Sequence, residues 1–125
     1  MTPKELAAAI ARAALRRRAE NVVILDMRSL IPLCDYFLIC SGRSAIHVQA
    51  IAEEIVQRLE EQGVEVGHVE GLPEARWVLL DYLDVVAHVF TPEARDYYAL
   101  EQLWADAPAE KIEEETVQTA PTGDE

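Results

Sequence analysis

Cysteine is scarce in this chain, with Cys34 and Cys40 the only two in 125 residues. Read as the two ends of a strand rising ~3.3 Å per residue, they stand roughly 20 Å apart, far beyond the ~7 Å Cα limit for a disulfide. Both are expected to be reduced, buried and structural, which suits a cytoplasmic protein. The three histidines, His47, His68 and His88, are widely spaced. No Cys or His pair sits at ligand spacing, so no metal site is expected. No apolar run is long enough to cross a membrane, and the N-terminal basic residues follow the small apolar stretch instead of preceding it as in a secretory signal. Positive charge is short as well: 11 Lys and Arg face 23 Asp and Glu, for a net charge of −12. The basic first 18 residues and the acidic last 15 cancel, so residues 19–110 carry the excess. Such a body repels phosphate backbones, so little direct RNA contact is expected and a basic protein partner fits better, although acidity also serves solubility alone.

The chain does have apolar content, 50% of its residues, enough for one domain with a core of its own. Its densest stretch is Arg76–Phe90. There Trp77–Leu80 and Val85–Phe90 flank the polar break Asp81-Tyr82-Leu83-Asp84. This reads as a β-hairpin. Strand alternation puts Trp77, Leu79, Val86, His88 and Phe90 on one face and Val78, Leu80, Val85, Ala87 and Val89 on the other. Both faces are apolar, so each needs a cover from this chain or from a partner.

Around the hairpin, Thr2-Pro3-Lys4-Glu5 has the capping-box and first-turn proline signals of a helix start. That helix ends in Arg16-Arg17-Arg18, where cations suit the macrodipole; a nucleic-acid patch is the minority reading, since no aromatic residues interleave the run. Asn21–Met27 and Asp35–Ser41 read as strands. Ser44 to about Gln62 reads as the longest helix, with Val48, Ile51, Ala52, Ile55 and Leu59 inward and Glu53, Glu54, Glu60 and Glu61 outward. Val64–Glu70 reads as a third strand. Thr91-Pro92-Glu93 opens a last helix carrying Tyr97, Leu100 and Trp104 on one stripe. The expected order is αββαβββα: a single α/β domain, residues 1–108, with a mixed five-stranded sheet packed with helices. Residues 109–125 form an acidic tail expected to be disordered.

Catalytic signals are thin. Ser41, His88 and Asp81 lack the nucleophile-elbow sequence of a triad. Ser41-Gly42 resembles the opening Gly-Ser element of nucleotidyl-transferring enzymes. Those enzymes also need paired carboxylates for divalent ions, and here no Asp occurs between Arg43 and Gln62 while Val64–Glu70 offers only Glu65 and Glu70. No catalytic residue and no cofactor is implied, and a nucleotide-binding or nucleotidyl-transferring enzyme stays as the alternative.

Several segments, in order, resemble the ribosomal silencing factor or Iojap-like family. They are Cys34–Ser44, Glu70-Gly71, Trp77–Tyr82, Asp84–Phe90, Arg95–Tyr98 and Leu100–Trp104, together spanning roughly residues 3 to 106. The resemblance implies a minimal nucleotidyltransferase-like fold without its catalytic carboxylates. It implies docking on the large ribosomal subunit, against a basic ribosomal protein at the subunit-joining face. Joining of the small subunit is then sterically blocked and translation repressed when nutrients are short. A homodimer in the free state and a role in large-subunit assembly are also compatible with it. The partner-binding residues on this reading are Trp77, Leu79, Asp81, Tyr82, Val86 and His88 of the hairpin, with Tyr98 and Trp104 divided between core and interface. Leu83 departs from the family, which has Gly there. A tight turn with positive φ would strain Leu83, and a wider turn would not.

Overall fold

The computed structural model describes residues 1–113. Helix α1 spans Pro3–Arg16, and its start is the expected capping box: the Thr2 hydroxyl accepts from the Glu5 N–H while the Glu5 carboxylate accepts from the Thr2 N–H. Strands β1 (Glu20–Asp26) and β2 (Tyr36–Ser41) follow, then α2 (Ala45–Glu61), β3 (His68–Glu70), β4 (Trp77–Asp81) and β5 (Val85–Phe90). Short helices α3 (Pro92–Tyr98) and α4 (Leu100–Leu103) lead to β6 (Ala109–Ile112). The strands form one mixed sheet in the order β3-β4-β5-β2-β1-β6, with β2 and β5 parallel and the other neighbours antiparallel.

The sheet has six strands, not five. Ala109–Ile112, placed in the tail by composition, pairs with β1 from Val22↔Ile112 to Leu25↔Ala109. Its Glu110-Lys111 centre is exposed and carries no alternation signal; pairing with the outer edge of β1 makes it a strand. The rest of the expected tail, residues 114–125, lies outside the described residues. Strand β3 is shorter than the stretch Val64–Glu70 suggests: Val64 and Val66 pack against the core ahead of it without entering the ladder. The last helix is broken. Ala99 adopts φ +49, so α3 and α4 are separate pieces, and Tyr97, 81% exposed, leaves the stripe with Leu100 and Trp104.

Two cores lie on opposite sides of the sheet. Helices α1 and α2 seal the first, over Leu38, Cys40, Val78, Leu80, Val85, Ala87 and Val89. Alanines on α1 (Ala7, Ala11, Ala14) let the helix approach closely. Gly42 does the same at the β2–α2 junction, where a Cβ would stand 2.9 Å from the Val48 nitrogen. The second core gathers Val23, Leu25, Met27, Cys34, Ile39 and Phe90, with Ala94 and Ala107 over them. The last helical segment therefore lies on the sheet face opposite the long helix. Both cysteines are free and buried, and burial raises their thiols to about 11 at Cys34 and about 12 at Cys40.

Candidate partner-binding face

The hairpin register joins Trp77 to Phe90, Leu79 to His88 and Asp81 to Val86, so these six side chains share the second face, as alternation predicts. Aromatic rings organise it. Trp77 packs on Phe90 (centroids 5.1 Å apart) and on Tyr98 (4.6 Å), while Phe37 meets His88 edge-on at 4.7 Å and Trp104 at 6.5 Å. The Trp77 indole N–H donates to His88 Nδ1 at 3.1 Å. In neutral His88 the proton is then on Nε2, a buried atom with no protein partner. His88 is only 4% exposed, and burial lowers its pKa to about 4. It is a neutral floor residue at ordinary pH.

Trp77, Leu79, Asp81, Val86 and Trp104 are half-buried, and Tyr98 is 48% exposed. Tyr82 does not belong with them. It is 6% exposed and packs in the helix-covered core, where burial raises its phenol to about 12. One residue past Asp81, alternation turns it to the other side. Asp81 has a turn role too: its carboxylate accepts from the Leu83 N–H at 2.8 Å. Leu83 takes φ +73, and the Asp84 N–H reaches back to the Tyr82 carbonyl at 3.0 Å, the bond pattern of a γ-turn. The tight, positive-φ alternative at Leu83 is therefore the observed one.

Arg95, to which residue patterns alone assign no role, positions the cover of this face. Its Nη1 donates to Ser41 Oγ at 2.9 Å, and Nε and Nη2 grip Glu101 at 2.8 and 3.0 Å, spanning the Ala99 break. The Arg95 guanidinium holds the Glu101 carboxyl below the usual range. A sequence signal existed in an Arg and a Glu six residues apart around a helix that stops, but only the fold shows that they meet.

Several polar groups near Ser41 are also engaged. Ser44 caps α2 by accepting from the His47 N–H at 3.2 Å. A cleft of about 1010 Å³ beside Ser41 is lined by four carboxylates, those of Glu20, Asp96, Glu101 and Glu113. Glu101 is taken by Arg95, and Glu20 lies 3.6 Å from Arg43. Ser41, His88 and Asp81 bond to Arg95, Trp77 and Leu83 in turn and form no relay. Among the described residues, no three His, Cys, Asp or Glu side chains gather as a metal site would require.

Fold and face together define a single-domain α/β protein with one sheet face sealed by helices and the other aromatic and partly covered. The chain belongs to the ribosomal silencing factors: the family model described as "Ribosomal silencing factor during starvation" matches residues 1–125. It is 49% identical over 108 residues to the ribosomal silencing factor RsfS of Bacillus subtilis, covering 86% of this chain and 92% of that one. A crystal structure of a Chromobacterium violaceum protein, 33% identical, superposes with a TM-score of 0.82 over 84% of this chain and 88% of the other. A more distant relative is the mouse protein named "Mitochondrial assembly of ribosomal large subunit protein 1", 28% identical over 71% of this chain and 40% of that one.

Proposed function

We propose that the chain represses translation by laying its second sheet face on a basic protein of the large ribosomal subunit, where the small subunit would otherwise join. The observation that carries this reading is the unfinished cover of that face. Trp77, Leu79 and Val86 stay half-buried beside the exposed Tyr98, in a chain whose other sheet face is sealed. Half-open aromatic clusters are where binding energy concentrates, and a net charge of −12 favours a basic partner. Steric exclusion needs no catalytic group, cofactor or metal, and it places the protein in the cytoplasm with its ribosomes. Asp81, set in its turn, contributes orientation more than affinity. A dimer in the free state would shelter the same apolar area.

The test mixes the protein with separated subunits on a sucrose gradient. Co-migration with the large subunit alone, with fewer joined ribosomes, is the expected result; equal binding to both subunits, or to neither, overturns the reading. Trp77→Ala locates the face. It removes a half-buried indole and the partner of His88, costing about 2–3 kcal/mol of stability, so urea denaturation and subunit pelleting are measured on the same variant. A folded variant that pellets like wild type removes Trp77 from the interface. A second reading, large-subunit assembly, is favoured by the name of the mouse relative. It predicts association with immature large subunits and no effect on the joining of mature ones.

A further inference from the structure

The triple arginine at the end of α1 is not absorbed by the aromatic face, and the structure gives it neighbours that the sequence did not. Six of the 11 basic residues, Arg12, Arg16, Arg17, Arg18, Arg43 and Arg58, belong to the α1 surface, its C-terminus, the β2–α2 junction and the last turn of α2. Glu54, expected on an outward face, is instead turned under them with its side chain 11% exposed. Three arginines direct Nε at this one carboxylate: Arg58 at 2.7 Å, Arg17 at 3.1 Å and Arg16 at 3.5 Å. Hydrogen bonds from Arg58 and then Arg17 hold Glu54 below the usual carboxylate range.

One guanidinium is enough to tie α2 to α1. Three around Glu54, with Glu61 3.8 Å from Arg58 as the second carboxylate, leave one positive charge uncompensated. Arg16 and Arg17 remain 58% and 56% exposed, on the rim of a shallow hollow of about 410 Å³ lined only by Arg16, Arg17, Glu54 and Arg58. The ridge continues. His47 donates through Nε2 to the Arg17 carbonyl (2.6 Å) and accepts at Nδ1 from the Arg43 N–H (2.9 Å), fastening the end of α1 to the β2–α2 junction. The Arg43 backbone is thereby fixed beside the end of α1, while its largely exposed guanidinium lies outside the hollow, on the neighbouring cleft and 3.6 Å from Glu20. Arg12 stands one turn before Arg16, also exposed. The cations are thus held in place on a rigid edge of an otherwise strongly acidic molecule.

We infer that this arginine ridge is a second contact surface, on the α1–α2 side of the sheet, and that its ligand is the phosphate backbone of RNA. Arg16 and Arg17 are engaged through Nε and more than half exposed, and a guanidinium offers its remaining N–H groups in the planar geometry that phosphate oxygens accept. The inference rests on the ribosomal reading above for the choice of polyanion, because a protein docked on a ribosomal protein has RNA phosphates as its nearest dense negative charge. The acidic remainder of the chain confines RNA contact to this edge and fixes the orientation in which it approaches.

Each phosphate neutralised steepens the fall of log affinity with log salt by about 0.7–0.9. The experiment measures binding of the full chain to purified large subunits, to RNA extracted from them and to phosphatidylserine vesicles across a KCl series. It compares wild type, Arg16→Gln/Arg43→Gln, and the charge-matched Lys4→Gln/Arg28→Gln, which alters the start of α1 and the turn after β1, where Arg28 pairs with Asp26. Arg17 and Arg58 are kept so that Glu54 stays paired, and thermal melts check folding. The ridge variant is expected to lose about 1.4–1.8 from the slope with subunits or extracted RNA, and about tenfold or more in affinity near ~150 mM salt, while the control matches wild type. Coinciding slopes for the two variants, or retention of wild type by vesicles but not by RNA, overturns the inference. If wild type fails to bind large subunits, the docking proposal falls; the extracted-RNA arm then decides the ridge alone, and absence of binding there overturns it too.

Discussion

Leu83→Gly is expected to stabilise the protein. Leu83 sits at the centre of the hairpin turn with φ +73 and a side chain 73% exposed. Left-handed backbone costs a residue with a Cβ about 1–2 kcal/mol, and glycine avoids that cost. Against this, glycine widens the unfolded ensemble by about 0.5–1 kcal/mol. The exposed side chain gives up little apolar burial when removed. The two turn bonds, Leu83 N–H to the Asp81 carboxylate and Asp84 N–H to the Tyr82 carbonyl, are made by the backbone and survive the substitution. So do the two bonds that the Asp84 carbonyl accepts from Asp35 and Tyr36, which tie the turn to β2. The net expectation is a gain of roughly 0.5–1 kcal/mol, read as a rise of about 2–5 °C in Tm for a domain of this size. Leu83→Ala is the control: it keeps the Cβ and the strain, so it should stay within ~0.5 kcal/mol of wild type. Urea denaturation followed by tryptophan fluorescence, with a thermal melt, measures both. A Leu83→Gly protein less stable than both wild type and Leu83→Ala would refute the strained turn.

Two further outcomes follow from other parts of the sheet. A chain ending at Glu113 keeps β6 and should melt with the full-length protein, whereas one ending at Pro108 uncovers the β1 edge and the Ile112 packing and should lose about 1–3 kcal/mol; equal melting of the two truncations would show that β6 contributes nothing. His88 gives a pH dependence: its folded pKa near 4 lies below the unfolded value, so the stability owed to keeping it neutral is complete above about 6.5 and drains away as the pH falls toward 4. From pH 7 to pH 5 the loss is about 2 kcal/mol, and it should shrink in His88→Phe; an unchanged slope in that variant would assign the pH dependence to other groups.

The parts of the fold legible in the sequence are those where a local rule and the tertiary result agree. Thr2-Pro3-Lys4-Glu5 begins α1 because capping needs only neighbours in sequence. The hairpin faces follow from alternation alone, and the pairings Trp77↔Phe90 and Leu79↔His88 match them. What stayed hidden depends on long-range partners. Strand β6 is polar and exists through its pairing with β1. The Ala99 break has no glycine or proline to announce it, and the Arg95–Glu101 grip spans it. Glu54 reads as a solvent-facing acid until α1 brings Arg16 and Arg17 over it. Tyr82, one step past Asp81, faces the helix-covered core because each step along a strand reverses the face.

The half-open state of the second face has a mechanical origin in how its cover is held. Helix α2 seals its side of the sheet with five fully buried apolar residues over 17 positions. On the opposite side, α3 buries only Ala94 and α4 buries none. That cover is held instead by polar bonds, the Arg95 contacts to Ser41 and Glu101 at its centre, and by Tyr98 leaning on Trp77. A polar grip fixes position without requiring apolar area, so Trp77, Leu79 and Val86 can remain partly open while the backbone beneath them stays rigid. Ser41 is central to this arrangement. It ends β2, and its hydroxyl accepts from the arginine that positions α3. Ser41 and Arg95 are thereby engaged in shaping the partly open face.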